Sequence, residues 1–177
     1  MEVDLVQVGK RIYGSVAGIG FDAIVACTAN TAKGVPPQAV YLYSIIKTLR
    51  HFRPIPLTLT LDQKETYSAE IMFVAVGNTK SYGRGMQITP MADPTDGKMN
   101  VCVVHKMTTL EFLASVPSVF AGKHTTHKKV TFFKASELTV TGSQKVPVIA
   151  DGEYIQDLPV TFKMLPNVQK VLVPTKR

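Results

Sequence analysis

Alternation of hydrophobic and polar positions predicts strands along most of the chain. Leu57, Leu59 and Leu61 alternate with threonines, which is typical of a strand with one buried face. From Ile71 to Val76 the chain is apolar without interruption, and so short a run predicts a strand buried on both faces. Further β-forming segments cover residues 3–8, 11–17, 99–106, 130–135, 137–142, 146–154, 160–165 and 168–174.

Two segments in the first third of the chain have a helical period instead. Residues 21–31 form the first, which is followed by a glycine and two prolines that would end a helix. Residues 38–52 form the second, and its apolar residues recur at helical spacing. We predict that the second helix buries this stripe, which comprises Val40, Tyr43, Ile46 and Leu49 or Arg50.

A third helix and the order of the elements complete the predicted fold. Thr108 and Glu111 have the spacing of a capping box, and Gly122 is suited to end the helix that they begin. The strands come in runs and do not alternate with helices, which favours antiparallel pairing. We therefore predict a mainly β (α+β) fold, an antiparallel β-sandwich of about nine strands with about three helices, forming one domain over residues 1–177.

Composition narrows the class of protein. Hydrophobic residues make up 45% and charged residues 19% of the chain, which indicates a folded globular protein rather than a disordered one. No apolar run approaches the roughly 18 residues of a membrane-spanning helix. The start of the chain, with Glu2 and Asp4, lacks the basic-then-apolar order of a signal peptide. We therefore expect a cytoplasmic protein, with Cys27 and Cys102 as buried free thiols.

The net charge of +7 predicts an anionic partner or a solvated basic face. Basic residues gather at 50–53, 123–129 and 176–177. Such patches suit nucleic acid, nucleotide phosphates or an anionic lipid surface. Charge alone does not choose among these partners.

Glycine-rich and acidic segments supply candidate chemistry. Gly83 and Gly85 follow the most buried strand, where glycines allow backbone amides to approach an anion. Asp96 forms an Asp-Gly turn with the next residue, and Asp93 lies shortly before it. The oxygens of this segment could bind Mg²⁺ or Ca²⁺. In both segments the alternative is an ordinary structural turn.

A second acidic segment contains two carboxylates across one glycine. Asp151 and Glu153 follow an apolar strand, and paired carboxylates at such a position suit general-base catalysis or the electrostatics of a metal-bound phosphate. The alternative for this pair is a solvent-exposed turn.

The order and spacing of these motifs resemble the C-terminal domain of the bacterial diacylglycerol kinase-like lipid kinases, a family related to the sphingosine kinases. The resemblance covers residues 4–174 and includes a glycine-rich segment, 14–23, that resembles the family's entry into this domain. The motifs that carry it further along the chain are Asn78, Gly83-x-Gly85, Asp96-Gly97, Gly122-Lys123-His124, Asp151-Gly152-Glu153 and Val173-Pro174.

The resemblance implies an ATP-dependent kinase that phosphorylates diacylglycerol or a similar lipid alcohol in a cleft between two domains. In that family the N-terminal domain holds ATP with a Gly-Gly-Asp-Gly-type loop, which this sequence lacks. We therefore expect the chain to be the C-terminal domain of a larger kinase and to be inactive alone. Asp151 or Glu153 would accept the proton of the substrate hydroxyl or hold the Mg²⁺-nucleotide.

The remaining site residues follow from the same resemblance. Asn78, Gly83, Gly85 and Asp22 are expected to line the substrate cleft. A structural Mg²⁺ is expected at the turn, bound by Asp96 with carbonyl oxygens of Asp93 and Lys98, and a further Mg²⁺ would come with ATP. Two residues depart from the family pattern. Glycine is commoner at the position of Arg84, and Pro94 interrupts the metal turn.

The expected partners are a lipid substrate at the inner face of the membrane and the protein's own ATP-binding domain. No nucleic acid is expected, because the interleaved aromatic and basic motifs of RNA-binding domains are absent from the sequence. A homodimer is left open, as is the lipid, since a sphingoid base or an undecaprenyl-type alcohol would suit the same fold. An alternative from another class is a non-catalytic basic β-sandwich that binds nucleic acid or an acidic ligand.

Overall fold

A computed structural model of the protein describes residues 1–36, 39–83 and 85–172, apart from the side chains of Tyr41 and Leu42. The predicted start of the second helix at Gln38, the departure at Arg84, the Val173-Pro174 motif and the basic pair at 176–177 lie outside the described residues.

The β-forming segments pair into one sheet of eleven strands, counted over the described residues, and every pairing among them is antiparallel. Its main path runs β10-β9-β3-β5-β4-β8-β11-β1-β2, while β6 pairs with β5 and β7. The strands are β1 (Glu2–Val8), β2 (Arg11–Tyr13), β3 (Val16–Gly20), β4 (Ile55–Leu61), β5 (Glu65–Gly77), β6 (Met99–His105), β7 (Val130–Ala135), β8 (Glu137–Gly142), β9 (Pro147–Ala150), β10 (Glu153–Asp157) and β11 (Val160–Lys170).

The two ends of the main path, β10 and β2, come close together, so the sheet is nearly closed. Arg11 of β2 donates a hydrogen bond to Glu153 of β10 at 2.5 Å. Gly9, with φ 57° in the turn between β1 and β2, leaves space for the side chain of Gln156, since a Cβ there would lie 2.7 Å from its Oε1. The predicted mainly β, sandwich-like fold is confirmed, with eleven strands in place of about nine.

The difference in strand number has local causes. The predicted segment 11–17 divides into β2 and β3, and the segment 146–154 is a hairpin of β9 and β10. One difference lowers the number of strands. The sequence predicts separate strands at 160–165 and 168–174, but β11 continues through Asn167, whose φ is 56°. Val3 of β1 pairs with Gln169 but Leu5 pairs with Leu165, so β11 has two extra residues there, which are absorbed as an irregularity and do not end the strand.

Burial follows the predicted pattern most closely in β5, which is buried from Ile71 to Gly77. Ile71, Val74 and Val76 belong to the core within the sheet, while Met72, Phe73 and Ala75 belong to a second core between sheet and helices. The strand is therefore covered on both faces, as its uninterrupted apolar sequence predicts.

Three α-helices and one turn of 3₁₀ helix lie in the described part of the chain. They are α1 (Phe21–Thr31), α2 (Val40–His51), α3 (Thr109–Phe120) and the 3₁₀ turn (Lys123–Thr126). The capping box of α3 is confirmed, because Thr108 accepts from the Glu111 amide and Glu111 accepts from the Thr108 amide. No helix within the described residues is both long and apolar enough to cross a membrane.

The predicted buried face of α2 is wrong in part. Leu49 is buried as predicted, but Tyr43 is 42% exposed and Ile46 is 57% exposed, and Ser44 and Thr48 are buried instead. The apolar residues of this helix fit two overlapping stripes of period 3.6. Tertiary packing buries the stripe that contains the hydroxyl side chains of Ser44 and Thr48. As a consequence α2 presents apolar side chains to solvent.

Candidate functional site

Glycines in β3 bring Asp22 against the sheet at the start of α1. Gly20 has φ 89°, and a Cβ there would lie 2.7 Å from the Met72 carbonyl oxygen, so glycine is required where β3 becomes the helix. A Cβ at Gly18 would collide with the carboxylate of Asp22. The segment therefore lets a carboxylate approach the backbone closely in the first turn of α1.

Asp22 lies between an apolar cavity and a second space, which we call the polar groove because Ser15, Asn30 and Asp151 are among its lining residues, and it lines both. Burial raises the pKa of this carboxyl to about 6, and a hydrogen bond with Tyr82 acts in the opposite direction. Tyr82 lines both spaces as well. A carboxylate and a phenol thus mark the position where the two spaces meet.

The apolar cavity lies between the sheet, α1, α2 and α3. It contains about 740 Å³ of atom-free space, its open mouth included. The enclosed part of this space is about 90 Å³, which is below the roughly 300–1,000 Å³ that is usual for small-molecule sites, so much of the space is open mouth. Its other lining residues are Phe21, Val25, Ile45, Phe73, Met86, Ile88, Val104, Met107, Phe112, Ser115, Val116, Val119, His124 and Val130.

Helix α3 covers this cavity. Its residues Phe112, Ser115, Val116 and Val119 have the i, i+3, i+4, i+7 spacing of one helix face, and all four line the cavity. No residue of α3 is buried among those described. The helix therefore packs against the second core only through half-buried side chains such as Phe112 and Val119, and the same face forms part of the cavity wall.

His124 is a cavity residue whose role the sequence did not predict, because it stands within the basic run 123–129. It is 2% exposed, and its Nε2 lies 3.0 Å from the Ile88 carbonyl oxygen. A carbonyl can only accept, so Nε2 carries the proton and Nδ1 is left as an acceptor. That Nδ1 has no partner among the described residues, and burial lowers the pKa of the imidazole.

Asp151 begins the two-residue turn between β9 and β10. Asp151 and Gly152 have φ values of 48° and 88°, the geometry of an Asp-Gly hairpin. The Asp151 carboxylate accepts three backbone N–H groups, from Gly14 at 2.9 Å, Ser15 at 3.1 Å and Val16 at 3.2 Å. The side chain therefore holds the connection between β2 and β3 against the turn.

Glu153 follows the turn and is exposed at the rim of the domain. Its Oε2 accepts from Arg11, and no bond to its Oε1 occurs among the described residues. The two carboxylates do not lie along one extended segment, because Asp151 and Gly152 form a turn. Both side chains nevertheless contact the same part of the chain, 11–16, outside the core.

The polar groove contains some of the predicted cleft residues. Asp22, Gly83, Asp151 and Gly152 line it, whereas Glu153 lies just beyond the turn. Gly83 and Gly85 have φ values of 52° and 99°, so both positions require glycine-like backbone. They belong to a loop that is closed by the pairing of Tyr82 with Met86.

Asn78 supports this groove from beneath and does not line it. Its side-chain amide donates to the carbonyl oxygens of Asp4 at 2.8 Å and Gly14 at 3.0 Å. Its backbone N–H donates to Ser15. Asn78 thus fixes, from the other side, the same connection that Asp151 holds.

The predicted metal turn is arranged by hydrogen bonds within the protein. Asp93 accepts from the amide and hydroxyl of Thr95, which hold the pKa of its carboxyl below the usual value. Asp96 accepts from the Lys98 amide and, at 2.9 Å, from the Lys134 ammonium. A positive charge of the protein itself is therefore already present at the Asp96 carboxylate.

The same turn depends on a buried carboxylate that the sequence did not identify. Asp4 is 0% exposed and accepts from the amides of Gly97 at 2.7 Å and Asn167 at 2.8 Å. Within the described residues no group of three or more His, Cys, Asp or Glu side chains could hold a metal. A cation at this turn would need backbone carbonyls, water and the departure of Lys134, so the protein ligands present do not form a cation site by themselves.

The raised pKa of Asp22 predicts how stability depends on pH. Between about pH 4 and pH 6 the Asp22 carboxyl keeps its proton in the folded state but has lost it in the unfolded state. The contribution of Asp22 to the free energy of unfolding is therefore fully present below about pH 4 and is lost as the pH rises through about 6. A pKa raised from 3.8 to about 6 corresponds to a change of up to about 3 kcal/mol in that free energy. Asp22→Asn should therefore match the parent in thermal melting at pH 4 and exceed it at pH 7.5. The exposed Glu65→Gln is the control, and an equal difference at both pH values would contradict the prediction.

Together, the fold and site define a sandwich-like antiparallel β domain with an apolar cavity, a carboxylate at the cavity's mouth and an acidic rim. Residues 14–173 match the family described as the YegS C-terminal NAD kinase beta sandwich-like domain, and the chain belongs to that family. The resemblance to the lipid kinases inferred from the motifs is confirmed.

Curated relatives carry kinase names and are longer than this chain. A diacylglycerol kinase of Mycobacterium tuberculosis (strain CDC 1551 / Oshkosh) is 31% identical over 165 residues, which are 93% of this chain and 53% of the relative. A diacylglycerol kinase of Bacillus subtilis (strain 168) is 25% identical over 99% of this chain and 58% of its own length. The chain thus spans about half the length of the curated relatives it matches.

Solved structures share the fold. The crystal structure of a diacylglycerol kinase from Bacillus anthracis str. Sterne aligns with a TM-score of 0.64 over 94% of this chain and 52% of that one. At 16% sequence identity, this similarity concerns the fold alone.

Proposed function

We propose that this chain is the C-terminal domain of an ATP-dependent lipid kinase that phosphorylates diacylglycerol or a similar lipid alcohol. The observation that carries the proposal is that Asp22 and Tyr82 line both the apolar cavity and the polar groove. A lipid alcohol needs such a pair of adjoining spaces, one for its hydrocarbon and one for its hydroxyl. The ATP-binding domain would dock over the groove and complete the active site.

The cavity binds the acyl chain, and Asp22 with Tyr82 orients the polar end of the lipid. The hydroxyl then projects into the groove, towards the turn at Asp151. Phosphoryl transfer depends mainly on positioning and on stabilising charge, so orienting this hydroxyl is the main task of the domain. ATP and its Mg²⁺ are held chiefly by the other domain.

The two acidic residues have different tasks. Asp151 has both oxygens engaged by backbone N–H groups, so its role is to shape the groove. Glu153 is exposed and has one oxygen without a partner among the described residues, so it is the better acceptor for the hydroxyl proton.

Peripheral contact with an anionic membrane is a further part of the proposal. Leu110 and Leu113 of α3 are 78% and 43% exposed, on the helix that covers the cavity. Tyr43 and Ile46 of α2 are exposed as well. Apolar side chains next to a cavity, on a chain of net charge +7, suit the inner face of a cytoplasmic membrane.

Mg²⁺ at the Asp93–Lys98 turn also remains a proposal. Lys134 would have to leave Asp96, and the carbonyl oxygens of Asp93 and Lys98 would have to contribute. Thermal melting with Mg²⁺ and with a chelator, for the parent and for Lys134→Met, tests it. Equal melting temperatures in the two conditions for both proteins would contradict a bound cation.

The test of the proposed function is whether the purified chain binds the lipid without turning it over. A fluorescent diacylglycerol in detergent micelles should bind saturably, and unlabelled diacylglycerol should displace it better than phosphatidylcholine, which has no free hydroxyl. With ATP and Mg²⁺ no phosphatidic acid should form, because the sequence contains no Gly-Gly-Asp-Gly-type loop to hold the γ-phosphate. Failure of lipid binding would contradict the lipid site, and enzyme-dependent product would contradict the need for a second domain.

A further inference from the structure

A basic groove lies away from the cavity and the acidic rim, between α1, the C-terminal half of α2 and the loop that joins β8 to β9. Lys47, His51 and Arg53 line it from α2 and the residues just after that helix. Lys145 lines it from the opposite loop, and Thr48 lies in its buried side. We call this space the basic groove.

The positive charge of the basic groove is not balanced by the protein. No Asp or Glu is among the described residues that line it. Lys47, Arg53 and Lys145 form no ion pair within the described part of the chain, whereas six other lysines there do. Lys47 does lie over the ring of Tyr43, at 5.6 Å from its centroid. Like charges brought together without a partner attract an anion.

The position of α2 accounts for only part of this cluster. Basic residues near the C-terminus of a helix are expected, because they interact favourably with its dipole. That reason covers His51 and the neighbouring residues of α2, but it does not apply to Lys145, which comes from a separate loop.

Thr48 provides an independent sign of a ligand. It is 7% exposed, and its hydroxyl has no hydrogen-bond partner among the described residues. Hydroxyls elsewhere in these helices bond to the carbonyl four residues before them, as Thr28 and Ser44 do. A buried hydroxyl without a partner is unfavourable unless something else supplies one.

We propose that the basic groove binds a phosphate group, with Lys47, Arg53 and Lys145 neutralising its charge and the Thr48 hydroxyl donating a hydrogen bond to it. A phosphate has several oxygens, so it can accept from all these donors at once. The phosphate belongs either to the headgroup of an anionic phospholipid or to a soluble phosphorylated compound. The site is separate from the groove at Asp22 and does not depend on the proposed kinase activity.

Two probes test this site and distinguish the sources of the phosphate. Inorganic phosphate is titrated into the chain by calorimetry, and binding to vesicles of phosphatidylcholine with and without phosphatidylglycerol is measured by sedimentation. Arg53→Gln combined with Lys145→Gln should weaken binding to the anionic vesicles about tenfold, since each well-placed cation near an anionic surface contributes substantially. Thr48→Val should abolish phosphate binding while leaving the melting temperature equal or higher, because it removes a buried unpaired hydroxyl at constant shape.

The control removes the same charge elsewhere. Lys10→Gln combined with Lys64→Gln changes two exposed turn residues that form no ion pair within the described residues, and it should reduce vesicle binding less than threefold. Groove-dependent vesicle binding that inorganic phosphate displaces would support a headgroup, and groove-dependent phosphate binding without groove-dependent vesicle binding would support a soluble ligand. Equal losses in the two double variants, or unchanged phosphate affinity in Thr48→Val, would overturn the proposal.

Discussion

In the proposed two-domain kinase, Glu153→Gln should lower turnover by about 10²-fold or more. The reason is that glutamine cannot accept the proton of the substrate hydroxyl, and the loss of a general base has this order of effect. The melting temperature should hardly change, because Glu153 is exposed and its side chain forms, among the described residues, only a surface ion pair with Arg11. Initial rates and melting curves of the same preparations make the comparison.

Two matched variants separate catalysis from structure at this rim. Arg11→Gln removes the same ion pair but keeps the carboxylate, so turnover should stay within about threefold of the parent. Asp151→Asn should lower both turnover and melting temperature, because an amide can replace only one of the two oxygens that hold the backbone of Gly14 to Val16. Turnover of Glu153→Gln within threefold of the parent would exclude it as the base and leave the pair as a structural turn.

Filling the cavity should produce the second large effect, through the substrate's acyl chain. Val116→Phe introduces an aromatic ring from α3 into the apolar space. Excluding two or three methylene groups at about 0.8 kcal/mol each corresponds to roughly 30-fold in kcat/KM for a long-chain diacylglycerol. A short-chain diacylglycerol should lose less, because it needs less of the cavity.

Stability and a neighbouring position provide the controls for the cavity variant. Val116→Phe should melt at the same temperature as the parent or higher, since α3 has no buried residue among those described and the ring enters empty space. Leu113→Phe changes the exposed side of the same helix and should leave kcat/KM within about threefold. Long-chain substrate turned over by Val116→Phe at the parental rate would show that the acyl chain lies elsewhere.

Short-range patterns were sufficient for most elements of the fold. Helix α1 runs over the predicted residues, 21–31, because its apolar spacing and the glycine and prolines after it are local signals. The capping box of α3 is local in the same way. For residues 151–153 the sequence offered a solvent-exposed turn as the alternative, and Asp151 and Gly152 do form a turn, because both residue types accept positive φ.

Where a local pattern fitted two arrangements, the sequence could not choose between them. The apolar residues of α2 fitted a stripe through Tyr43, Ile46 and Leu49, but packing left Tyr43 and Ile46 exposed and buried Thr48 beside Leu49. The segments 160–165 and 168–174 fitted two strands, but pairing with β1 makes residues 160–170 one strand. In both cases the deciding energy comes from neighbours distant in sequence.

The sequence by itself determined the family, the antiparallel β architecture and the acidic and glycine-rich segments, because each depends on residue types at short spacing. Only the tertiary structure decided what those residues contact. Asp151 meets the amide of Gly14 from 137 positions away, and the cavity at Asp22 is assembled from three helices and the sheet. His124 and Asp4 were missed for the same reason, since a histidine in a basic run and an aspartate in a strand gain their roles only through burial. Burial and long-range hydrogen bonding arise when distant segments pack together, and no short-range pattern encodes them.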